Sequence, residues 1–168
     1  MKRLALIAPF LLMVSCAGYQ LGGNKPSSLA RIKTIAVPMF ANSTQHPRAE
    51  SLATSAVSYA IVHDGSYHIA SQSHADAVLE GTLREIRYQS IRGARFDTSL
   101  SEEFQDTAVI DWILRDARNP TKILASGSST GTSQLFADSN LQTARNNALP
   151  EALEHAGEAL VSRLTDGF

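Results

Sequence analysis

The clearest periodic pattern in the chain lies between residues 47 and 65. Apolar residues recur there at steps of three and four, which places them on one side of a helix. They are Ala49, Leu52, Ala53, Ala56, Val57, Ala60 and Ile61. Pro47 suits the first position of a helix, and Gly65 suits the left-handed residue that ends one. We therefore predict a helix whose alanine-rich side can approach a sheet closely.

A second helix is predicted over residues 141–164. The residues near one face of it are Ala144, Ala148, Ala152, Ala156, Leu160 and Leu164. Ser139 is a candidate N-cap. Pro150 interrupts the pattern, because an interior proline removes a hydrogen bond and costs about 3 kcal/mol. We therefore expect a kink at Pro150, or a helix that starts near Asn147.

The remaining apolar stretches are typical of strands. Residues 31–40 are rich in β-branched residues, and Pro38 should lie at the end or edge of that strand. Further strands are predicted at 67–70, 77–88, 104–115 and 122–136, and the last two form a hairpin that turns at Asn119-Pro120 and has a polar second arm. Alternation in 77–88 is imperfect, and residues 89–101 are a polar excursion.

This order of elements, β-α-β-β-β-β-α, predicts a two-layer α+β sandwich. We expect a four- to five-stranded mixed sheet with two helices packed on one face, all within a single domain over residues 31–168. Hydrophobic residues make up 43% of the chain and charged residues 18%. That composition suits a folded domain and argues against disorder.

Residues 1–15 have the layout of a lipoprotein signal peptide. Lys2 and Arg3 precede an uncharged apolar run of about 11 residues, well short of the roughly 20 that a membrane-spanning helix needs. Cys16, the only cysteine, follows directly. The pattern is typical of a lipobox, in which Cys16 is lipidated, becomes the new N-terminus and is acylated, typically with palmitate. An ordinary signal peptide with an incidental cysteine is the alternative.

The residues after Cys16 indicate where the anchor lies. Position 17 is Ala and not the Asp that retains many lipoproteins in the inner membrane. We therefore expect the protein to be anchored at the periplasmic face of the outer membrane. Residues 16–30 are rich in Gly, Ser and Asn and read as a flexible tether. Loss of the leader leaves 13 basic against 16 acidic residues, a formal charge near −3. This is not the basic footprint of a nucleic-acid-binding protein.

The reactive residues do not assemble into a recognisable catalytic motif. The five histidines lack metal-ligand spacing, and no Gly-x-Ser-x-Gly elbow occurs. We predict no metal, no cofactor and no enzymatic activity. One basic cluster remains, formed by Arg84, Arg87, Arg92 and Arg95. It reads either as a solvated strand end with its loop or as an anion site for a phosphorylated lipid head group, since arginine pairs bidentately with phosphate.

Three short motifs resemble the lipopolysaccharide-assembly lipoprotein family, the LptE-related proteins. They are Cys16-Ala17-Gly18-Tyr19-Gln20-Leu21, then Ile35-Ala36-Val37-Pro38 with Asn42, and Ala75-Asp76-Ala77-Val78-Leu79-Glu80-Gly81. Glu103-Phe104 falls where relatives carry Glu and an aromatic residue. The resemblance spans the whole mature chain.

The resemblance implies a lipid-anchored outer-membrane protein. Such a protein plugs a large lipopolysaccharide-translocating β-barrel, helps that barrel assemble, and helps deliver lipopolysaccharide to the outer leaflet. It also implies a lipid-binding basic residue in the region of Arg92 or Arg95. A second basic residue is expected between the last strand and the last helix, where this chain has Ala137-Asp138-Ser139.

Two other functions stay open at the level of sequence. The Ile-Ala-Val-Pro-x-Phe-x-Asn-x-Thr start also resembles the openings of curli-secretion lipoproteins and of periplasmic Tol-associated domains. That reading makes the chain an accessory lipoprotein subunit of another secretion or cell-envelope complex. An envelope-attached hydrolase is the third and weakest reading, because the sequence holds no assembled catalytic site.

Overall fold

The computed structural model describes residues 25–92, 102–137 and 141–167 of the chain. The elements in chain order are β1 Thr34–Ala36, β2 Ala41–Asn42, α1 Ala49–Asp64, β3 His68–Ile69, β4 Ala77–Arg92, β5 Glu102–Asp116, β6 Ile123–Ala137 and α2 Leu141–Asp166. The predicted signal peptide, Cys16 and most of the predicted tether lie outside the described residues. No helix among the described residues has the length and apolar character needed to cross a membrane.

The strands form one mixed sheet in the order β3-β1-β4-β5-β6, with β2 also pairing with β4. Pairing is parallel among β1, β2, β3 and β4, and antiparallel from β4 through β5 to β6. The α+β prediction is confirmed, with six strands in place of four to five. The extra strand is β2, two residues that directly follow the predicted 31–40 segment. Pro38, which has no N–H to donate, lies in the gap between β1 and β2.

Helix α1 confirms the periodic pattern. It ends at Gly65, whose φ of 76° is the left-handed conformation that the sequence predicts, and whose N–H donates to Ile61 O. It starts two residues after Pro47, with Arg48 as the N-cap residue at a φ of 65°. The alanines and Ile61 are buried, but Leu52 is 42% exposed, because it lies at the margin of the buried stripe.

Helix α2 runs without interruption from Leu141 to Asp166 through Pro150. The predicted start near Asn147 is therefore wrong, while a bend at Pro150 stays a prediction. The buried residues between 148 and 164 recur in pairs, and the larger ones are Leu149, Leu153, Leu160, Val161 and Leu164. Burial of these side chains, at about 1.5–3 kcal/mol each, outweighs the hydrogen bond that proline removes.

A β-bulge explains the imperfect alternation in β4. The register with β5 shifts between Leu83 and Glu85, so that Arg84 is the extra residue. Odd-numbered residues of β4 face the helices up to Leu83, and even-numbered residues face them from Ile86 onward. Ile86 and Tyr88 thus lie opposite Ala108 and Asp106. Strand β4 also continues to Arg92, so residues 89–92 of the predicted polar excursion are strand, and 93–101 lie outside the described residues.

Small residues on β6 let α2 approach the sheet closely. A Cβ atom on Gly131 would lie 2.0 Å from the carbonyl oxygen of Ala152, a backbone atom that cannot give way. Ser133 Oγ donates to Ala148 O over 2.8 Å. Helix α1 packs beside α2 in the same layer, where Gly157 lies against the backbone of Ala56. The inward residues of the second hairpin arm, such as Gly131 and Ser133, are therefore small because they seat a helix.

Candidate functional site

The face of the sheet opposite the helices is polar, and no described element covers it. Strand β5 runs along its centre, and its outward residues lie in register with outward residues of β4 and β6. The polar outward residues are Glu80, Thr82, Glu85, Arg87 and Gln89 on β4, Gln105, Thr107, Asp111 and Arg115 on β5, and Ser126, Ser128, Thr130, Thr132 and Gln134 on β6. A shallow depression of about 480 Å³ lies among the central ones. We call this surface the open sheet face.

Ion pairs neutralise the arginines in the middle of the open sheet face. Arg84 Nε lies 3.0 Å from Asp111 Oδ2, and Arg115 Nε lies 2.8 Å from Glu80 Oε2. Arg87 pairs with Glu85, two residues before it on the same strand. Two members of the predicted arginine cluster, Arg84 and Arg87, thus already have carboxylate partners.

Of the other two members of the cluster, Arg92 is described, and it lies at one end of the sheet. Arg92 is the last residue of β4 and is in register with Glu103 of β5. Arg95 lies outside the described residues. So do Asp138 and Ser139, the region in which the family resemblance implies a second basic residue. We call this the distal end of the sheet.

A buried polar cluster lies beneath α2 near the distal end. Asp106 of β5 is directly opposite Tyr88 of β4, and its side chain is 0% exposed. Among the described residues, neither carboxylate oxygen of Asp106 makes a hydrogen bond of good geometry, although the Thr107 backbone N–H is near enough to lower the pKa of Asp106. The Tyr88 hydroxyl and Arg145 Nε are likewise buried without a described hydrogen-bond partner. The Arg145 guanidinium lies 4.8 Å from the centre of the Tyr88 ring, and His46 contacts the same ring at 5.6 Å between centroids.

Burial dominates the electrostatics of this cluster. It raises the pKa of Asp106 to about 6, and the Thr107 backbone N–H and the Arg145 charge lower it only in part. Burial likewise raises the pKa of Tyr88 to about 12, helped by the Asp106 charge. Polar groups this deeply buried are nearly always hydrogen-bonded, and strongly shifted pKa values cluster at functional sites, so these residues are candidate functional residues.

Sequence reasoning missed Asp106 and Arg145, although a signal for Asp106 was present. It falls on the same alternation as Ala108, Ile110 and Trp112, so it is a charged residue on the apolar face of its strand. Arg145 gave no such signal, because the sequence pattern of a helix does not distinguish a solvent-exposed arginine from one that packs over a tyrosine ring. No three His, Cys, Asp or Glu side chains converge in the described ranges as a metal site would require.

Comparison with solved structures shows the fold. A hypothetical protein from Chlamydia trachomatis matches with a TM-score of 0.55 at 9% identity, covering 79% of this chain and 95% of that one. A Xanthomonas campestris protein matches with a TM-score of 0.51 at 18% identity, covering 79% and 84%. The PelC dodecamer from Paraburkholderia phytofirmans is 24% identical over 79% and 93%, with a TM-score of 0.47.

Comparison of sequences shows the family. No curated protein sequence matches the chain. The LptE family model, described as lipopolysaccharide-assembly, matches residues 32–164. This span begins before β1 and ends within the last turn of α2, so it takes in the whole sheet and the helical layer. The chain belongs to the LptE family of lipopolysaccharide-assembly proteins.

Proposed function

We propose that this protein is a non-enzymatic outer-membrane lipoprotein that plugs the lipopolysaccharide-translocating β-barrel. In that role it assists assembly of the barrel and helps deliver lipopolysaccharide to the outer leaflet. Membership of the LptE family supports the assignment to lipopolysaccharide assembly. The observation that carries the plug role is the open sheet face, whose hydroxyl, amide and paired ionic groups match the polar, water-filled interior of a large barrel.

The lipid anchor at Cys16 is the first part of this proposal. Residues 1–15 act as the signal peptide, 16–30 as the lipidated tether, and 31–168 as the domain. Several acyl chains, at about 0.8 kcal/mol per buried CH₂, hold a protein on a membrane far more firmly than one chain does. Cys16→Ser should therefore move the protein from the outer-membrane fraction to the soluble periplasmic fraction. A variant that stays in the membrane would show that Cys16 is not the anchor.

The plug role makes a geometric demand that a side-on subunit does not. A plug is surrounded, so opposite faces of the domain must both lie near the barrel wall. Thr107 lies at the centre of the open sheet face, and Ser55 is exposed on α1 in the opposite layer. A photo-crosslinking amino acid placed at either position in living cells should capture the large barrel protein.

The same pair of positions distinguishes the alternatives. Capture of the barrel from Thr107 alone, or from Ser55 alone, would mean side-on docking and would refute the plug. Capture of a pore-ring or peptidoglycan-binding partner in place of the barrel would favour an accessory subunit of another envelope complex. Cys16→Ser with either probe serves as a control, because loss of the anchor should reduce capture at both positions together.

Arg92 and Arg95 are the residues we propose for contact with the lipid head group. Arg84 and Arg87 already have carboxylate partners, so they should contribute less to binding of phosphate. Arg92→Ala with Arg95→Ala should weaken lipopolysaccharide binding, and the loss should shrink as salt screens the wild-type interaction. Arg118→Ala with Arg163→Ala is a control of equal charge, since both residues are exposed and Arg118 lies at the other end of the sheet. Equal binding by both double variants would remove the anion site.

A further inference from the structure

Helix α1 carries an apolar strip on its exposed side as well as a buried one. Leu52, at the margin of the buried stripe, is aligned with Tyr59 and Val62, and the three are 42%, 65% and 64% exposed. Residues spaced by about two turns and then one turn lie on the same side of a helix. Single exposed apolar residues are ordinary, whereas a row of them along a helix is typical of a binding face. We call these three residues the outer strip.

A groove of about 260 Å³ lies between the outer strip and α2. It is lined from α1 by Tyr59, Ala60 and His63, and from α2 by Val161 and Ser162. The Tyr59 and His63 rings are stacked, with 5.8 Å between their centroids and 9° between their planes. The groove therefore has an aromatic wall that is open to solvent, and a cation can pack against such a wall.

Carboxylates form the rest of the groove lining. They are Asp64, Glu158 and Asp166, and no lysine or arginine of the described residues lines the groove with them. None of the ion pairs between described residues includes these carboxylates. Asp64 and Asp166 each accept a hydrogen bond from an uncharged donor, Ser66 N–H and the Ser162 hydroxyl, so their charge is not neutralised. Both end their helices, where the helix dipole disfavours negative charge.

The two walls together select the chemistry of an occupant. The carboxylates repel phosphorylated lipids and lipopolysaccharide, which carry negative charge. A purely apolar partner would bury the carboxylates without a counter-charge, which is costly. An arginine satisfies both walls, because its planar guanidinium stacks on aromatic rings and pairs bidentately with carboxylates. Lysine is a point charge without a flat face, so it would match only the acidic wall.

We propose that this groove, with the outer strip, binds an arginine-bearing apolar segment of the surrounding barrel. The arginine stacks on Tyr59 and pairs with Glu158 and Asp166, while apolar neighbours of the arginine cover Leu52 and Val62. Arginine and tyrosine are among the residues that contribute most at protein interfaces. The identity of the partner rests on the proposed plug role, whereas the chemistry of the occupant rests on the groove.

The end of the tether indicates which part of the barrel supplies the segment. Lys25, the first described residue, donates to Ser66 O over 2.5 Å and lies 4.0 Å from the centre of the Tyr67 ring. The Tyr67 hydroxyl in turn donates to Leu164 O over 2.8 Å. The proposed tether, 16–24, thus ends beside the C-termini of both helices, and it reaches at most roughly 32 Å to its lipid anchor at about 3.5 Å per residue. The segment therefore belongs to the periplasmic end of the barrel, where its short turns lie.

Photo-crosslinking in cells tests the occupant directly. A photo-crosslinking amino acid at Ser162, an exposed residue of the groove, should capture the barrel, and mass spectrometry should identify a captured peptide that contains arginine. Glu158→Arg with Asp166→Arg should lower this capture about tenfold, because like charges then meet. Glu151→Arg with Glu154→Arg is the matched control, an equal charge change on exposed residues of α2 outside the groove lining. It should leave capture within about twofold of the unmodified level.

Two further variants show whether the contact is the proposed one. Replacement of the captured barrel arginine by Glu should restore capture by the variant that carries Glu158→Arg and Asp166→Arg. Tyr59→Ala should lower capture because it removes the stacking surface, whereas Tyr59→Phe keeps the ring and should not. Capture from Thr107 should stay unchanged in every groove variant, which shows that each variant is folded and in place.

The outcomes separate this inference from the plug role. Capture at Ser162 that the groove variant loses and the charge swap restores would support the proposed contact. Equal capture by the groove variant and its control would overturn it, as would capture of lipopolysaccharide or phospholipid. Capture at Thr107 and Ser55 with none at Ser162 would overturn the contact and leave the plug role standing. Absence of capture at all three positions would overturn both.

Discussion

Replacement of Asp106 by Asn should stabilise the protein more at neutral pH than at acidic pH. The folded protein holds the Asp106 carboxyl at a pKa of about 6, against an ordinary value of 3.8. Because the folded pKa is raised, Asp106 is protonated in the folded state at pH 3.5 and mostly protonated in the unfolded state. As pH rises from about 4 to about 6, the unfolded chain loses its proton first, and folding stability falls.

The size of the effect follows from the two pKa values. The difference between about 6 and 3.8 corresponds to about 3 kcal/mol, which is fully lost above pH 6. Asn resembles the protonated acid in shape and carries no charge. The stability gained by Asp106→Asn should therefore grow by about 2–3 kcal/mol between pH 3.5 and pH 7.5, whatever its value at the acidic end.

Urea unfolding at a series of pH values measures this gain. Trp112, the single tryptophan, is buried and reports unfolding by fluorescence. Asp111→Asn is the matched control, because Asp111 lies on the same strand but is only partly buried and is paired with Arg84. Its effect should stay within about 1 kcal/mol, as for other surface ion pairs. A gain for Asp106→Asn that does not change with pH would refute the assignment of an ionised, unpaired carboxylate at this position.

Two further predictions concern backbone packing. Gly131→Ala should lower the free energy of unfolding by about 3 kcal/mol or more, because the new Cβ would lie 2.0 Å from Ala152 O and would push α2 off the sheet. Ser128→Ala on the open sheet face is its control. Equal urea midpoints for the two variants would contradict the close contact. Arg48→Gly should raise the free energy of unfolding by about 0.5–1 kcal/mol, because Arg48 has a φ of 65° and glycine adopts that conformation without strain; a lower urea midpoint would contradict it.

Local patterns in the sequence predicted the helical layer well. The steps of three and four in α1, and the paired apolar residues of α2, depend only on helix geometry and on one buried face. Pro150 misled the prediction of where α2 begins, because the cost of a proline is local whereas the burial that offsets it comes from the sheet and α1. Tertiary packing in this case overrides intrinsic propensity.

Contacts between distant residues could not be predicted in the same way. The bulge at Arg84 depends on the register between β4 and β5, which no single strand specifies. The pairing of Arg84 with Asp111 follows from that register, as does the position of Tyr88 opposite Asp106. Two arginines of the sequence cluster, Arg84 and Arg87, therefore lie in ion pairs with Asp111 and Glu85.

The distal end of the sheet is where this fold gives up stability. Asp106 destabilises the folded state at neutral pH, and an apolar residue would fill its position on the inward face without that cost. It lies about 10 Å along β5 from Glu103, the residue in register with Arg92, at three residues of about 3.3 Å each. Natural proteins depart from consistent packing mainly at functional sites. The buried Asp106 carboxylate, which no described side chain hydrogen-bonds, therefore makes this end of the sheet, and not its well-packed end near Trp112, the place to test the sheet for contact with a partner or a ligand.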